Sequence, residues 1–339
     1  MARSIKEYLI IGLKGMAMGA ADVVPGVSGG TIAFIAGIYE ELLGSISNVN
    51  LELLKILKSE GIKAAWKYVN GSFLLSLLTG IFISIFSLAK TISWLLENQP
   101  ILLWSFFFGL VLASVFYIVK QISKWNFLTV LILVIGALGA YFITTLSPLV
   151  NEDSSLLFMF LAGAIAIIAM ILPGISGSFI LVLLGAYKPI LTAVTDRDFK
   201  IVASVGLGAI IGLLSFSRVL KWLFAHHKNY TLAVLTGFIV GSLNKIWPWK
   251  ITQTVIEKAS GTIIPFENVT NLGSLGVYQK QINDFESYRI ALEKSVLPFH
   301  YTEANLGESN NFVLALVLAV LGFVLILGME KLAEKSNKL

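Results

Sequence analysis

Apolar residues run along this chain in blocks of about twenty, each long enough to cross a hydrocarbon core of about 30 Å as an α-helix. The blocks predict spanning helices at 72–96, 101–119, 127–147, 201–224, 230–247 and 311–329. Two further blocks, 5–45 and 156–193, are interrupted near their middle by Pro25-Gly26-Val27-Ser28-Gly29 and by Pro173-Gly174-Ile175-Ser176-Gly177. Proline removes a backbone donor and glycine frees φ, so Pro-Gly ends one helix, and serine caps the start of the next. Each block is expected to fold as a hairpin, 5–22 with 28–45 and 156–172 with 176–193, that enters the membrane and returns to its own side. In 46–71, Leu51, Leu54, Leu57 and Trp66 alternate with Lys55, Lys58, Lys63 and Lys67. That pattern suits a helix on the inner membrane surface, or a solvated linker. Residues 248–310 are too polar for lipid and are expected to form one large outer loop, either a lid or an insertion.

The two interrupted blocks belong to a longer repeat. An offset of 148 places Gly163 on Gly15, Gly185 on Gly37 and Tyr187 on Tyr39. After a shorter loop, an offset of 128 places Gly208 on Gly80, Arg218 on Lys90, Trp222 on Trp94, Gly237 on Gly109 and Ser242 on Ser114. The basic-then-Trp pair at one spacing argues for duplication where glycines alone would not. The halves are 1–147 and 148–339. Each holds a hairpin that returns to its own side and three crossings, an odd number, so the second half is expected to be inverted. The fold class is an all-α integral membrane protein of two inverted repeats.

Composition agrees. The chain is 56% hydrophobic and 13% charged, with a mean hydropathy of +0.83. It has no cysteine, which removes disulfides, thiol catalysis and Cys-ligated metals. Its formal charge of +5 fits the positive-inside rule better than nucleic acid. With the N-terminus inside, the inner segments carry Arg3, Lys6, the four lysines of 46–71, Lys120, Lys124, Lys221, Lys228, Lys331, Lys335 and Lys338. The short outer segments 97–100 and 147–155 carry no basic residue, and 194–200 carries Arg197 and Lys200. Both termini are therefore expected in the cytoplasm. The first block resembles a signal peptide in its basic start and apolar run, but its second copy lies mid-chain, so it is assigned to the fold.

Broken helices in corresponding halves of a membrane protein mark a transporter's binding site. Half-helices starting at Ser28 and Ser176 would each point unpaired N–H groups and about +0.5 of dipole charge at the place where the breaks meet. Gly29, Gly30 and Gly177 allow an anion close to the backbone, and Thr31 and Ser178 add hydroxyls; phosphate is the usual guest of such a site. Lys90 and Arg218, equivalent in the repeat, either join that site or snorkel to headgroups. Asp22, three residues before Pro25 and matched by Met170 in the repeat, is a candidate for H⁺ or Na⁺ coupling, for a salt bridge, or for capping a turn. No other cofactor is implied, and a homodimer is left open.

Gly26-Val27-Ser28-Gly29-Gly30 also fits G-x-S-x-G, and both breaks fit the G-x-S-G of intramembrane serine proteases. A serine nucleophile needs a base. The histidines, His226, His227 and His300, lie at a helix end and in the outer loop. Proteolysis, esterase chemistry and zinc chemistry are therefore set aside.

The runs GMAMGAADVVPGVSGGTIAFIAGIYEELL and ILPGISGSFILVLLGAY resemble the bacterial polyprenyl-phosphate transporter family, once catalogued as a domain of unknown function. The resemblance spans the membrane portion and not 248–310. It implies return of undecaprenyl phosphate, the lipid carrier of cell-wall synthesis, from the outer to the inner leaflet of the cytoplasmic membrane. Undecaprenyl-pyrophosphate phosphatases are similar in their Pro-Gly-x-Ser stretch but place an arginine after the serine, where this chain has Gly29 and Gly177. The alternatives that stay open are a phosphatase on such lipids, a small-anion or ion-coupled transporter, and a lipid-binding scaffold.

Overall fold

The computed structural model describes residues 3–24, 27–146, 148–149, 155–257, 262–269, 288–304 and 309–336. The first hairpin comprises α1 (Ile5–Val23), α2 (Gly29–Ile35) and α3 (Tyr39–Ser47). After α4 (Leu51–Ser59) and α5 (Ile62–Tyr68) come three long helices, α6 (Gly71–Asn98), α7 (Pro100–Gln121) and α8 (Phe127–Thr145). The second hairpin is α9 (Leu156–Ile171), α10 (Gly177–Leu183) and α11 (Tyr187–Thr195). α12 (Phe199–Ser242), strands β1 (Lys250–Glu257), β2 (Ile263–Pro265) and β3 (Tyr288–Ser295), α13 (Pro298–Ala304) and α14 (Phe312–Ser336) follow among the described residues. Gly71–Leu88 of α6, α7, α8 and Phe199–Ile246 are each long and apolar enough to cross a membrane. The molecule is a largely helical multi-pass membrane protein.

Local chemistry explains the boundaries. α1 begins with a reciprocal capping box between Ser4 and Glu7, and α7 carries Pro100 at its first position, where no N–H is needed. Two expectations are corrected. The segments 28–45 and 176–193 are not single helices, because Gly37 and Gly185 adopt φ of +69° and +72°, which glycine tolerates, and split each arm. α10 and α11 meet at 104°. The expected helices 201–224 and 230–247 are the two arms of α12, which meet at a kink where His227 leaves the helical conformation (φ −134°, ψ 41°). The fold is also not purely α: within 248–310, β1 pairs antiparallel with β2 on one side and β3 on the other, in the order β2-β1-β3. Parts of that segment, including 270–287, lie outside the described residues.

Glycine sets the helix packing. Between membrane helices no hydrophobic drive exists, so close backbone approach through small residues supplies the attraction. A Cβ on Gly15 would collide with the carbonyl of Leu77, and one on Gly80 with that of Gly12, locking α1 on α6. A Cβ on Gly163 would meet the carbonyl of Val205, and one on Gly208 that of Phe160, locking α9 on α12. These are the same four positions at the sequence offsets of 148 and 128. Gly109 of α7 packs on Ala319 of α14, while Gly237 of α12 packs on Leu133 of α8. α7 thus pairs with the last helix of the chain, and α12 with α8.

One end of the bundle is tied by a bidentate Arg3–Glu41 pair at 2.6 and 2.8 Å, by Lys228–Glu40 at 2.8 Å and by the Ser123 amide donating to Asn229 at 2.9 Å. At the other end, Asn244 donates to Thr144 at 3.1 Å, and the indoles of Trp247 and Trp249 donate to the Val296 and Asn310 carbonyls, each at 2.8 Å. The sheet is thereby stitched to the helices. α4 buries none of its residues and, with α5, exposes Leu51, Leu54, Leu57, Ile62 and Trp66 beside its lysines.

Candidate functional site

The two hairpins touch at their breaks. α9 ends there, and its last carbonyls lack helical partners. Two hydroxyls from the first hairpin serve them: Ser28 Oγ donates to the Met170 carbonyl at 3.1 Å, and Tyr39 donates to that of Ile171 at 3.0 Å. In the reverse direction the Gly174 amide donates to Thr31 Oγ1 at 2.9 Å. Gly174 sits at φ +89°, and a Cβ there would meet Ser242 and Ile239 of α12, so no side chain fits. Ser28 and Thr31 are almost fully buried. Pro25 and Gly26 lie outside the described residues, whereas Pro173 and Gly174 are buried.

The first break already holds an anion. Asp22 Oδ1 accepts the Gly29 amide at 2.7 Å, and Ser28 Oγ accepts that of Gly30 at 3.1 Å. The carboxylate stands so close that a Cβ on Gly29 would lie 2.5 Å from Asp22 Oδ2. At the far end of the same short helix, Lys14 Nζ donates to the carbonyl of Ala36, the C-cap of α2, at 2.6 Å. α1 therefore sets an acid at the positive end of α2 and a base at its negative end, the arrangement a helix dipole favours.

The second break lacks that arrangement. Ser176 begins α10 without a side-chain cap; its Oγ lies 2.9 Å from Ser178 Oγ. Met170 stands where Asp22 does, its Cβ 3.2 Å from the Cβ position of Gly177. Among the described residues, nothing accepts from the Gly177 and Ser178 amides, and Ser178 is exposed. Lys245, just beyond α12, holds its ammonium 4.8 Å from the ring of Phe179, the next residue of α10. The repeat-related cations stand elsewhere: Lys90 is exposed on α6, and Arg218 donates to the Val49 carbonyl at the end of α3 at 2.9 Å.

Comparison with known proteins gives the chain a family. The family model described as "VCA0040-like: Undecaprenyl phosphate translocase-like" matches residues 18–264, both breaks included. The chain belongs to the undecaprenyl phosphate translocase-like family. Within that family, it is 46% identical over 335 residues to a protein of Vibrio cholerae serotype O1 named polyprenyl-phosphate transporter, covering 99% of this chain and all of the relative. A Staphylococcus aureus protein of the same name is 33% identical over 261 residues, covering 72% of this chain and 88% of the relative. No solved structure matches.

For this member of the undecaprenyl phosphate translocase-like family, the groups on view at the breaks are hydrogen-bond donors and acceptors. Ser28 Oγ donates to a backbone carbonyl instead of a base. The ring of His226 stacks on Trp222 at 5.0 Å on a distant stretch of α12. The open second break offers two amides, two hydroxyls and, beside Phe179, an ammonium group: donors suited to a phosphate's oxygens. Lys14, Tyr39 and Lys245 enter the site from geometry. Lys14 does carry a signal in the sequence, as a basic residue well inside an apolar run whose repeat partner is Ala162.

Proposed function

We propose that this protein carries a polyprenyl monophosphate, undecaprenyl phosphate, from the outer to the inner leaflet of the bacterial cytoplasmic membrane, returning the carrier lipid of cell-wall synthesis. The observation that carries the reading is similarity along the whole chain to a protein named polyprenyl-phosphate transporter. The contact between the breaks supplies the means. The headgroup docks near the bilayer midplane at Ser176-Gly177-Ser178, opposite Ser28-Gly29-Gly30 with Thr31, while the isoprenoid tail stays in lipid. Lys90 and Arg218 receive the headgroup on the outer and inner approaches. The halves are inverted relative to one another, both termini are cytoplasmic, and rocking of one half against the other alternates access. α4 and α5 lie on the inner surface with their leucines in lipid.

Asp22 gives the cycle a coupling group. A carboxylate within an apolar helix that accepts one amide has room for a proton or Na⁺ to change its hold on α2.

Exchange of labelled undecaprenyl phosphate between leaflets of proteoliposomes tests the reading. Movement that requires the protein and resists competition by inorganic phosphate is the expected result. Folded protein that binds the lipid without moving it, with and without a gradient, would leave a binding scaffold instead. Release of inorganic phosphate from the diphosphate would mark a phosphatase.

A further inference from the structure

Between the sheet and the second hairpin lies a recess with an uneven set of charges. Lys245 and Lys250, the first residue of β1, both face the same oxygen of Glu293 on β3, at 3.9 and 3.7 Å. The Lys250 side chain is only 9% exposed, lies 4.8 Å from the Trp104 ring and donates to the Lys245 carbonyl at 2.5 Å. Thr144, Asn244 and Ser295 complete the polar lining. Ser295 donates to Asn244 Oδ1 at 2.8 Å. Two ammonium groups thus share one carboxylate, and neither is within good hydrogen-bond distance of it. A surplus buried cation is costly unless an anion meets it. Burial pushes Lys250 down to about 8, with Glu293 offsetting only part of the effect. Burial opposes the Glu293 charge too, but Lys250 and then Lys245 outweigh it and hold the carboxyl below its usual range.

A phosphomonoester fits this set better than the carboxylate does. It brings up to two negative charges and three outward oxygens, enough for both ammonium groups and a neighbouring hydroxyl or amide. As it stands the recess has room for little more than a water molecule, so such a group enters only if Glu293 gives way. We propose that this recess is a receiving site for a phosphomonoester, in which the Glu293 carboxylate is the place-holder that the incoming phosphate displaces from Lys245 and Lys250. The proposal rests on the reading that the chain moves a polyprenyl phosphate. It adds the residues that meet the headgroup on the sheet's side of the membrane, with Lys245 against the Phe179 ring of α10.

The test is binding of undecaprenyl phosphate to the full-length protein in nanodiscs, with inorganic phosphate and undecaprenol as separate ligands. Losing a charged hydrogen bond costs about ten-fold or more in affinity, so Lys245→Gln and Lys250→Met are each expected to weaken the phosphate lipid by that factor. Glu293→Gln is expected to bind it several-fold more tightly, an increase that a merely structural salt bridge would not produce. Undecaprenol should bind alike to all. Should Lys250→Met fail to fold, Lys245→Gln decides, since its ammonium is partly exposed. Wild type that binds the phosphate lipid while Lys245→Gln binds it equally well, or Glu293→Gln that binds it more weakly, overturns the site and leaves the transport reading intact. Binding of inorganic phosphate through these lysines, without binding of the lipid, keeps the site and removes the transport reading. Binding of neither removes both.

Discussion

Asp22 and Lys14 stand eight residues apart on α1 and hold opposite ends of α2, the acid on the Gly29 amide at 2.7 Å and the base on the Ala36 carbonyl at 2.6 Å. A seven-residue helix has little stability of its own. Here every residue of α2 is buried, so its position depends on packing and on those two charged bonds. Lys14→Met leaves a carbonyl without its donor and should lower stability by about 1–3 kcal/mol, read as a lower apparent melting temperature in detergent. Asp22→Asn keeps an acceptor for Gly29 and removes the charge. It should fold, and leaflet exchange by the variant should lose its dependence on a proton or sodium gradient. An unchanged gradient response would restrict Asp22 to capping.

The asymmetry between the breaks makes a second prediction. Met170 faces Gly177 as Asp22 faces Gly29. Met170→Asp should therefore place a carboxylate on the free amides of α10 and displace the phosphate lipid, while Met170→Leu should bind it normally. Met170 is 40% exposed, so the shorter aspartate side chain fits without overpacking. Wild-type binding by Met170→Asp would mean that α10 does not hold the headgroup.

Much of this was legible in the chain because its chemistry is local. Ser28 and Ser176 do precede the first residues of α2 and α10, since Pro-Gly before Ser-Gly constrains only its neighbours. Gly37 and Gly185 hide their bends in unbroken apolar surroundings, and only their positive φ reveals them. The role of Lys14 depends on a carbonyl 22 residues away, which helical periodicity does not encode. The Lys245–Lys250–Glu293 cluster needs a strand pairing across more than forty residues, although Lys250–Glu257 carries the β-branched pattern of a strand. The pairing of α7 with α14 and of α12 with α8 is likewise a property of the assembled bundle.

The glycine contacts yield a third prediction, with its control on the same helix. Gly208 abuts the Phe160 backbone, whereas Gly206 has nothing within 4 Å of its Cβ position. Gly208→Ala should destabilise by about 1–3 kcal/mol through overpacking, and Gly80→Ala should do the same between α6 and α1. Gly206→Ala should be neutral or stabilise by roughly 0.5–1 kcal/mol, because alanine is the better helix former. Folded yield on size exclusion and thermal stability would separate them. A bulky residue at Gly177, whose Cβ position lies 2.6 Å from the Ala166 carbonyl, would lose packing as well as block the site.

A pH titration separates two consequences of one proton. In the folded protein Lys250 releases its proton at about 8 because burial disfavours the ammonium, against about 10.4 in an unfolded chain. Between those values the unfolded chain binds the extra proton, so folding stability gains as pH rises through the window, by up to about 3 kcal/mol. Phosphate binding moves the other way. The charged lysine attracts the anion, so affinity should fall as pH climbs past about 8, well above the second ionisation of a phosphate monoester. Glu293, the carboxylate that faces Lys250, is held below its usual range by the lysines and stays ionised across that window. Lys250→Met should flatten both curves. Affinity and stability that rise or fall together in wild type would place the titrating group elsewhere.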